Sequence, residues 1–141
     1  MATTTFSGPI KAGSAADSNV GSVVMAQSAV IDIIGATSAD QLVATVPANS
    51  QIIDVILNVT AANDDTTAAT VVVGTSADAN AFIPSTNAKA LGTTHGVLDT
   101  EATDVGTSDL PVYADFTATD GDGTAGAATV TVLYIQNNNL S

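Results

Sequence analysis

The sequence predicts an all-β protein: a single antiparallel β-sandwich domain, jelly-roll-like, preceded by an extended N-terminal arm. Three observations predict it. β-branched segments recur at roughly 8–14 residue spacing with turn signals between them, the pattern of a sandwich or barrel. Several of these segments alternate apolar and polar residues with period two. Finally, hydrophobic residues make up 45% of the 141, while aromatics are only 4% and tryptophan is absent. The core must then be built from Val, Ile, Leu and Ala, and the chain is long enough for one such core.

The elements follow in order. Residues 1–19 are small and polar, with Gly8, Pro9 and Gly13 and only Phe6 and Ile10 as large apolar groups, and read as the arm. Residues 20–141 form the sandwich domain. Val23 to Ile34 is β-branched and reads as one long strand or a strand with a bulge. Gly35 to Asp40 is a turn, Gln41 to Val46 a strand, and Pro47-Ala48-Asn49-Ser50 a break. In the next stretch, QIIDVILNVT, Ile53, Val55, Leu57 and Val59 share one face. Its other face, expected to be wet, carries Ile52 and Ile56 beside Asp54, Asn58 and Thr60. A helix could be drawn through Ile52, Ile53, Ile56 and Thr60, but β-branching and the preceding turn favour a strand.

Ala61 to Thr67, AANDDTT, is a turn rich in Asn and Asp, and Ala68 to Gly74 a short strand. Thr75 to Asn87 reads as a loop with a helical turn from Ser76, and Lys89 to Thr94 as a short strand. Thr94 to Ser108 is acidic and turn-like. Pro111 to Thr117 alternates cleanly, Asp120-Gly121-Asp122-Gly123 supplies a hairpin turn, and Ala127 to Gln136 is the last strand. Strands apolar on both faces imply that part of the outer surface is covered by the arm, a loop or another subunit.

Fourteen acids face two bases, Lys11 and Lys89, for a formal net charge of −12. Nucleic acid is excluded as a partner, because phosphate neutralisation needs Lys and Arg. An anionic membrane surface would repel the protein. There is no cysteine, so disulfides and thiolate metal sites are excluded. The N-terminus lacks a basic stretch followed by an apolar one, and no apolar run approaches the ~20 residues of a membrane helix.

No residue pattern marks a reactive centre. His95, the single histidine, lies in a turn-like segment, and there is no Gly-x-Ser-x-Gly turn to present a nucleophile. GTSADA after Val73 lacks the second glycine and lysine of a phosphate loop. Asp120 and Asp122, spaced two apart in a Gly-rich turn, are the candidates for a calcium ion. The rest of an EF-hand pattern is missing, so the expectation is no cofactor, with calcium at that turn the alternative; Asn63-Asp64-Asp65 is a lesser candidate. Asp54 and Asp115 lie in strands and are expected to point to solvent. Tyr113, Phe116 and Tyr134 look like core or subunit contacts, and two tyrosines without tryptophan are few for a lectin.

MATTTFSGPIKAG, VPANSQIIDVILNVT, VGTSADANAF with the later NAKALGTT, and ATVTVLYIQNNNLS resemble stretches of small structural proteins of tailed bacteriophages, the head decoration or capsid cement proteins. The likeness runs from Met1 to Ser141 and consists of texture without catalytic signatures. It implies a β-rich, non-enzymatic virion protein, made in the host cytoplasm. Such a protein sits on the outer surface of the capsid, stabilises it by bridging major capsid protein subunits, and is commonly a homotrimer. Thr3, Thr4, Thr5, Phe6, Pro9 and Ile10 are the expected capsid or inter-subunit contacts: the threonines suit an added strand and Phe6 and Ile10 supply apolar anchors. Ile52 and Ile56 are the next candidates. The alternative is a head- or tail-fibre adhesion module that binds host glycans.

Overall fold

The computed structural model describes residues 11–15 and 19–136, with side chains from residue 23 onward. Strands β1 (Lys11–Ala15) and β2 (Asn19–Ser22) pair antiparallel in a two-stranded sheet of their own. Part of the segment read as an extended arm, Lys11–Ala15, is thus a strand paired with β2. The eight strands that follow build a sandwich: β3 (Val24–Ile31), β4 (Ser38–Val46), β5 (Ser50–Ala61), β6 (Ala69–Gly74), β7 (Ile83–Asn87), β8 (Gly92–His95), β9 (Leu110–Ala118) and β10 (Ala127–Gln136). One sheet has the order β3-β10-β5-β8 and the other β4-β9-β6-β7. Every ladder between them is antiparallel. Numbered within the sandwich, these orders are 1-8-3-6 and 2-7-4-5, the jelly roll, in which two Greek keys fold a long hairpin over itself. The predicted fold class holds.

The core fills the space between the sheets with aliphatic side chains from alternate positions: Val55, Leu57 and Val59 of β5, Val71 and Val73 of β6, Val112 and Ala114 of β9, and Val130 and Val132 of β10. Three rings supply bulk. Phe116 lies in the second half of β9, Tyr134 of β10 is 3% exposed, and Phe82, in the loop before β7, is 1% exposed. The Phe82 amide donates to Val73 O at 3.0 Å and its carbonyl accepts from Val97 N at 2.8 Å, so the ring is carried into the core by backbone bonds on both sides.

The expected inward face of β5 is corrected at its start. Ile52 is 1% exposed and Ile53 43% exposed, the reverse of strict alternation from Val55. Opposite β10, Leu133 faces Asp54 and Tyr134 faces Ile52, so Ile53 is an extra residue and the ladder shifts there. A bulge of this kind changes the phase of side chains before it relative to those after it. Ile52 is therefore a core residue and is not presented as a surface contact of this chain. Ile56 stays on the outer face, half-buried between Thr131 and His95.

Two other boundaries differ from expectation. The Thr75–Asn87 loop contains β7, whose Pro84 is tolerated because β7 is an edge strand. β4 begins at Ser38 within the expected turn. There Asp40 takes a positive φ of 54° and its N–H donates to Asp115 Oδ1 at 2.6 Å, while the register with β9 shifts between Ser38 and Gln41.

The loop between β6 and β7 closes over Gly74. A Cβ there would lie 2.2 Å from Asp78 O and 2.5 Å from Ala79 C, so only glycine lets the chain turn so tightly. Thr75 N donates to Asp78 O at 2.8 Å across the same turn.

Candidate interaction surfaces

The carboxylates of the candidate calcium turn accept hydrogen bonds across two loops. It joins β9 to β10 beside the β5–β6 loop, and the two loops are stitched together by aspartates. Asp122 accepts from both the N–H and the hydroxyl of Thr66, and Asp120 accepts from the Thr67 hydroxyl. Asp64 accepts from Thr124 N at 2.7 Å, Ala125 N at 2.8 Å and Thr124 Oγ1 at 3.0 Å. Hydrogen bonds to the ionised form hold two of these carboxyls below their ordinary value of 3.8. For Asp64 the largest cause is the Ala125 N–H, then that of Thr124; for Asp122 it is the Thr66 hydroxyl, then the Thr66 N–H. Among the described residues no group of three or more His, Asp or Glu is placed to hold a metal ion.

Beneath them lie two buried polar residues, Asn63 and Asp65. Asn63 Nδ2 donates to Ile33 O at 2.7 Å, and its Oδ1 accepts from Asp65 N at 2.8 Å. Asp65 accepts from Gly121 N at 2.8 Å and Thr67 N at 3.1 Å. Lys89 donates to the carbonyls of Asp65 and Thr67, at 2.5 and 2.9 Å. Four loops meet here, and the acids that suggested a cation site from spacing accept hydrogen bonds from backbone N–H groups and threonine hydroxyls of the neighbouring loops. The sequence signal was the run Asn63-Asp64-Asp65, whose side chains cap turns.

One lateral side of the sandwich is closed by glutamines. β3 and β4 are edge strands of different sheets. Gln27 Nε2 donates to Thr45 O at 2.8 Å, and Thr45 N donates back to Gln27 Oε1 at 3.0 Å. Gln41 makes the reciprocal pair: its Nε2 donates to Asp32 O at 2.8 Å and its Oε1 accepts from Asp32 N at 2.6 Å. Each side-chain amide stands in for a strand residue. Gln27 also donates to the Tyr134 hydroxyl at 2.9 Å. On the opposite side, β7 and β8 leave a cleft of about 230 Å³ lined by Val59, Thr86, Asn87, Leu91, Thr93 and Thr94. No aromatic ring lines it, as a saccharide platform would require.

The outer face of the β3-β10-β5-β8 sheet carries several exposed or half-buried apolar side chains. Val24 lies opposite Ile135, and Ala26 opposite Leu133, with the exposed Ile53 beyond them on β5. Ser28, Thr131, Ile56 and His95 make the next row, and Val30, Thr129, Asn58 and Thr93 the last. Asp54 and His95 meet on this face, Oδ2 to Nδ1, at 2.6 Å. His95 is the partner of an outward aspartate, and among the described residues no serine is bonded to it. Asp115 points outward from β9, where its Oδ1 accepts from Asp40 N. Thr3, Thr4, Thr5, Phe6, Pro9 and Ile10 lie outside the described residues.

No protein-family model matches the sequence, and no curated protein matches it. Solved structures do. The chain is similar to a chain of the acidic stable capsid structure of Helicobacter pylori bacteriophage KHP30, with a TM-score of 0.61 and 18% identity over 80% of this chain and 87% of that one. It is also similar to a chain of the cyanophage Pam1 capsid asymmetric unit, with a TM-score of 0.63 and 17% identity over 95% of this chain and 97% of that one. At these identities the likeness is one of fold, and this jelly roll has the fold of chains found in phage capsid structures.

Proposed function

We propose that this protein is a structural component of a bacteriophage head, a decoration or cement protein bound to the outer surface of the shell. It bridges neighbouring major capsid protein subunits and acts as a homo-oligomer, a trimer being the favoured state. The observation that carries the reading is the jelly-roll strand order, matched over nearly the whole length of a phage capsid chain. Among the described residues no serine is bonded to His95 and no group of three or more His, Asp or Glu is placed to hold a metal ion, which is compatible with a role in adhesion. Many modest contacts, each worth ~25 cal/mol per Å² of apolar area, add over a shell into substantial resistance to internal pressure. The segment with Thr3, Thr4, Thr5, Phe6, Pro9 and Ile10 supplies the primary capsid contact, as an extended strand with two apolar anchors, and Ile56 supplies an inter-subunit contact from the sandwich face.

Deletion of residues 1–11 tests this reading. The truncated protein should keep its β-sheet circular dichroism and melt cooperatively, yet fail to co-sediment with purified capsids that bind the full chain. Normal capsid binding by the truncated protein would remove the role of the arm. Failure of the full chain to bind any head, with labelling elsewhere on the particle, would remove the function.

A further inference from the structure

We infer that the outer face of the β3-β10-β5-β8 sheet is the surface through which two copies of this chain associate. The inference rests on the assembly role proposed above and names the surface that serves self-association.

The argument begins with where the charge lies. The loops at one end of the sandwich hold Asp32, Asp64, Asp65, Asp120 and Asp122, and those at the other end hold Asp78, Asp99, Glu101, Asp104 and Asp109. Any approach of two such bodies end to end sets carboxylates against carboxylates. The outer face of the β4-β9-β6-β7 sheet carries two more acids, Asp40 and Asp115, with no basic residue in its strands. On the β3-β10-β5-β8 face the four strands contain one acid, Asp54, and it already has His95 at 2.6 Å. On a chain with net charge −12, this is the strand face on which a second copy meets least repulsion. A basic partner would be drawn to the ends instead.

The chemistry of the face suits a copy of itself. Val24 and Val30 are 52% and 80% exposed and Ile53 43%, with Leu133, Ile135 and Ile56 half-buried among them. Several of its polar groups are already paired: Ser28 Oγ and Thr131 Oγ1 lie 2.8 Å apart, Thr93 Oγ1 donates to Asn58 Oδ1 at 3.2 Å, and Asp54 holds His95, so covering these strands few unmade hydrogen bonds. Ala26, Ser28, Thr129 and Thr131 are short, which keeps the surface flat enough for the ~10 Å face-to-face spacing of stacked sheets. Four strands at ~4.8 Å and eight residues at ~3.3 Å give a footprint of roughly 500 Å². That is below the ~800 Å² per partner of a standard stable interface. The association is therefore weak and concentration-dependent in the free protein.

Sedimentation equilibrium of the full chain, over two decades of concentration and in low and high NaCl, tests the inference. The expected result is reversible self-association that tightens as salt rises, because screening removes repulsion between two anionic bodies across a contact that carries one acid, the His95-paired Asp54. Val30→Glu and Ala26→Glu, at exposed positions that leave the core untouched, should weaken it by about tenfold or more. Leu42→Glu, on the outer face of the other sheet, should leave it unchanged. A chain that stays monomeric at every concentration overturns the inference. So does association that Leu42→Glu abolishes while Val30→Glu and Ala26→Glu do not, or association that loosens with salt. Capsid co-sedimentation of the same variants separates the two readings: a self-associating chain that binds no capsid defeats the proposed function and leaves this face intact, whereas a monomeric chain that binds capsids overturns this face and the homo-oligomeric state and leaves capsid decoration standing.

Discussion

At the residue scale, the acidic loops are held by carboxylates that must stay ionised. Asp64 and Asp122 each accept several hydrogen bonds from the neighbouring loop, and their folded-state values are lowered from 3.8. A carboxylate whose folded value is depressed stabilises the fold above its unfolded value, and that contribution disappears as pH falls through the folded value. Asp64→Asn with Asp122→Asn should therefore melt below the parent protein at neutral pH. The gap should close progressively as pH is lowered below 3.8, because the parent then loses the same bonds. Thermal melts between pH 7 and pH 2 would show it, and a gap independent of pH would mean that packing, not ionisation, carries the effect. Asn63 and Asp65 contribute differently. They are buried, and a donor or acceptor left unpaired there costs about 1–3 kcal/mol. The sequence marked this segment as a turn. It did not mark it as the meeting point of four loops, because the partners Ile33, Gly121 and Lys89 are distant in the chain and no spacing ties them to it.

At the element scale, the strands legible from sequence are those whose alternation is set by one buried face. β9 and β10 read correctly from Val112-Ala114-Phe116 and Val130-Val132-Tyr134, all buried. What sequence could not reveal is decided by a neighbouring strand or an edge. The phase change at Ile52 and Ile53 depends on β10 skipping a residue opposite it, and two adjacent isoleucines look alike from either side. β7 was concealed by Pro84, which is compatible with a strand only at a sheet edge. The glutamine pairs that close the β3 and β4 edges were likewise invisible, since Gln27 and Gln41 sit in strands with no spacing that suggests partnership. Such edges otherwise offer unpaired backbone groups to other chains. Gln27→Leu with Gln41→Leu keeps bulk and removes four hydrogen bonds to Thr45 and Asp32, each worth about 0.5–1.5 kcal/mol net. The variant should unfold at lower denaturant concentration and, on incubation, form aggregates that scatter light. Unchanged solubility together with an unchanged midpoint would show that the loops alone keep these edges apart.

At the scale of the whole molecule, a small aliphatic core carries a large unbalanced charge. Fourteen acids and two bases give −12 on 141 residues, and among the described residues the acids gather in the loops at both ends of the sandwich. Their mutual repulsion is greatest in the compact state and opposes folding. The Debye length falls from ~30 Å at 0.01 M salt to ~10 Å at 0.1 M, so most of the repulsion across a body of this size is removed within that interval. The denaturation midpoint of dilute protein should therefore rise with NaCl and level off by a few tenths molar. Potassium and tetramethylammonium chloride should act almost equally, because screening does not distinguish monovalent cations, whereas a bound ion would. Asp99→Asn with Glu101→Gln should raise the low-salt midpoint and flatten the curve, since among the described residues no hydrogen bond ends on either carboxylate and no base stands in their loop. Chemical denaturation with urea, which leaves ionic strength unchanged, measures both effects. A midpoint that is flat or falls with salt would mean that the acids are balanced by attraction elsewhere in the chain, and the assignment of the ends as mutually repulsive surfaces would have to be abandoned.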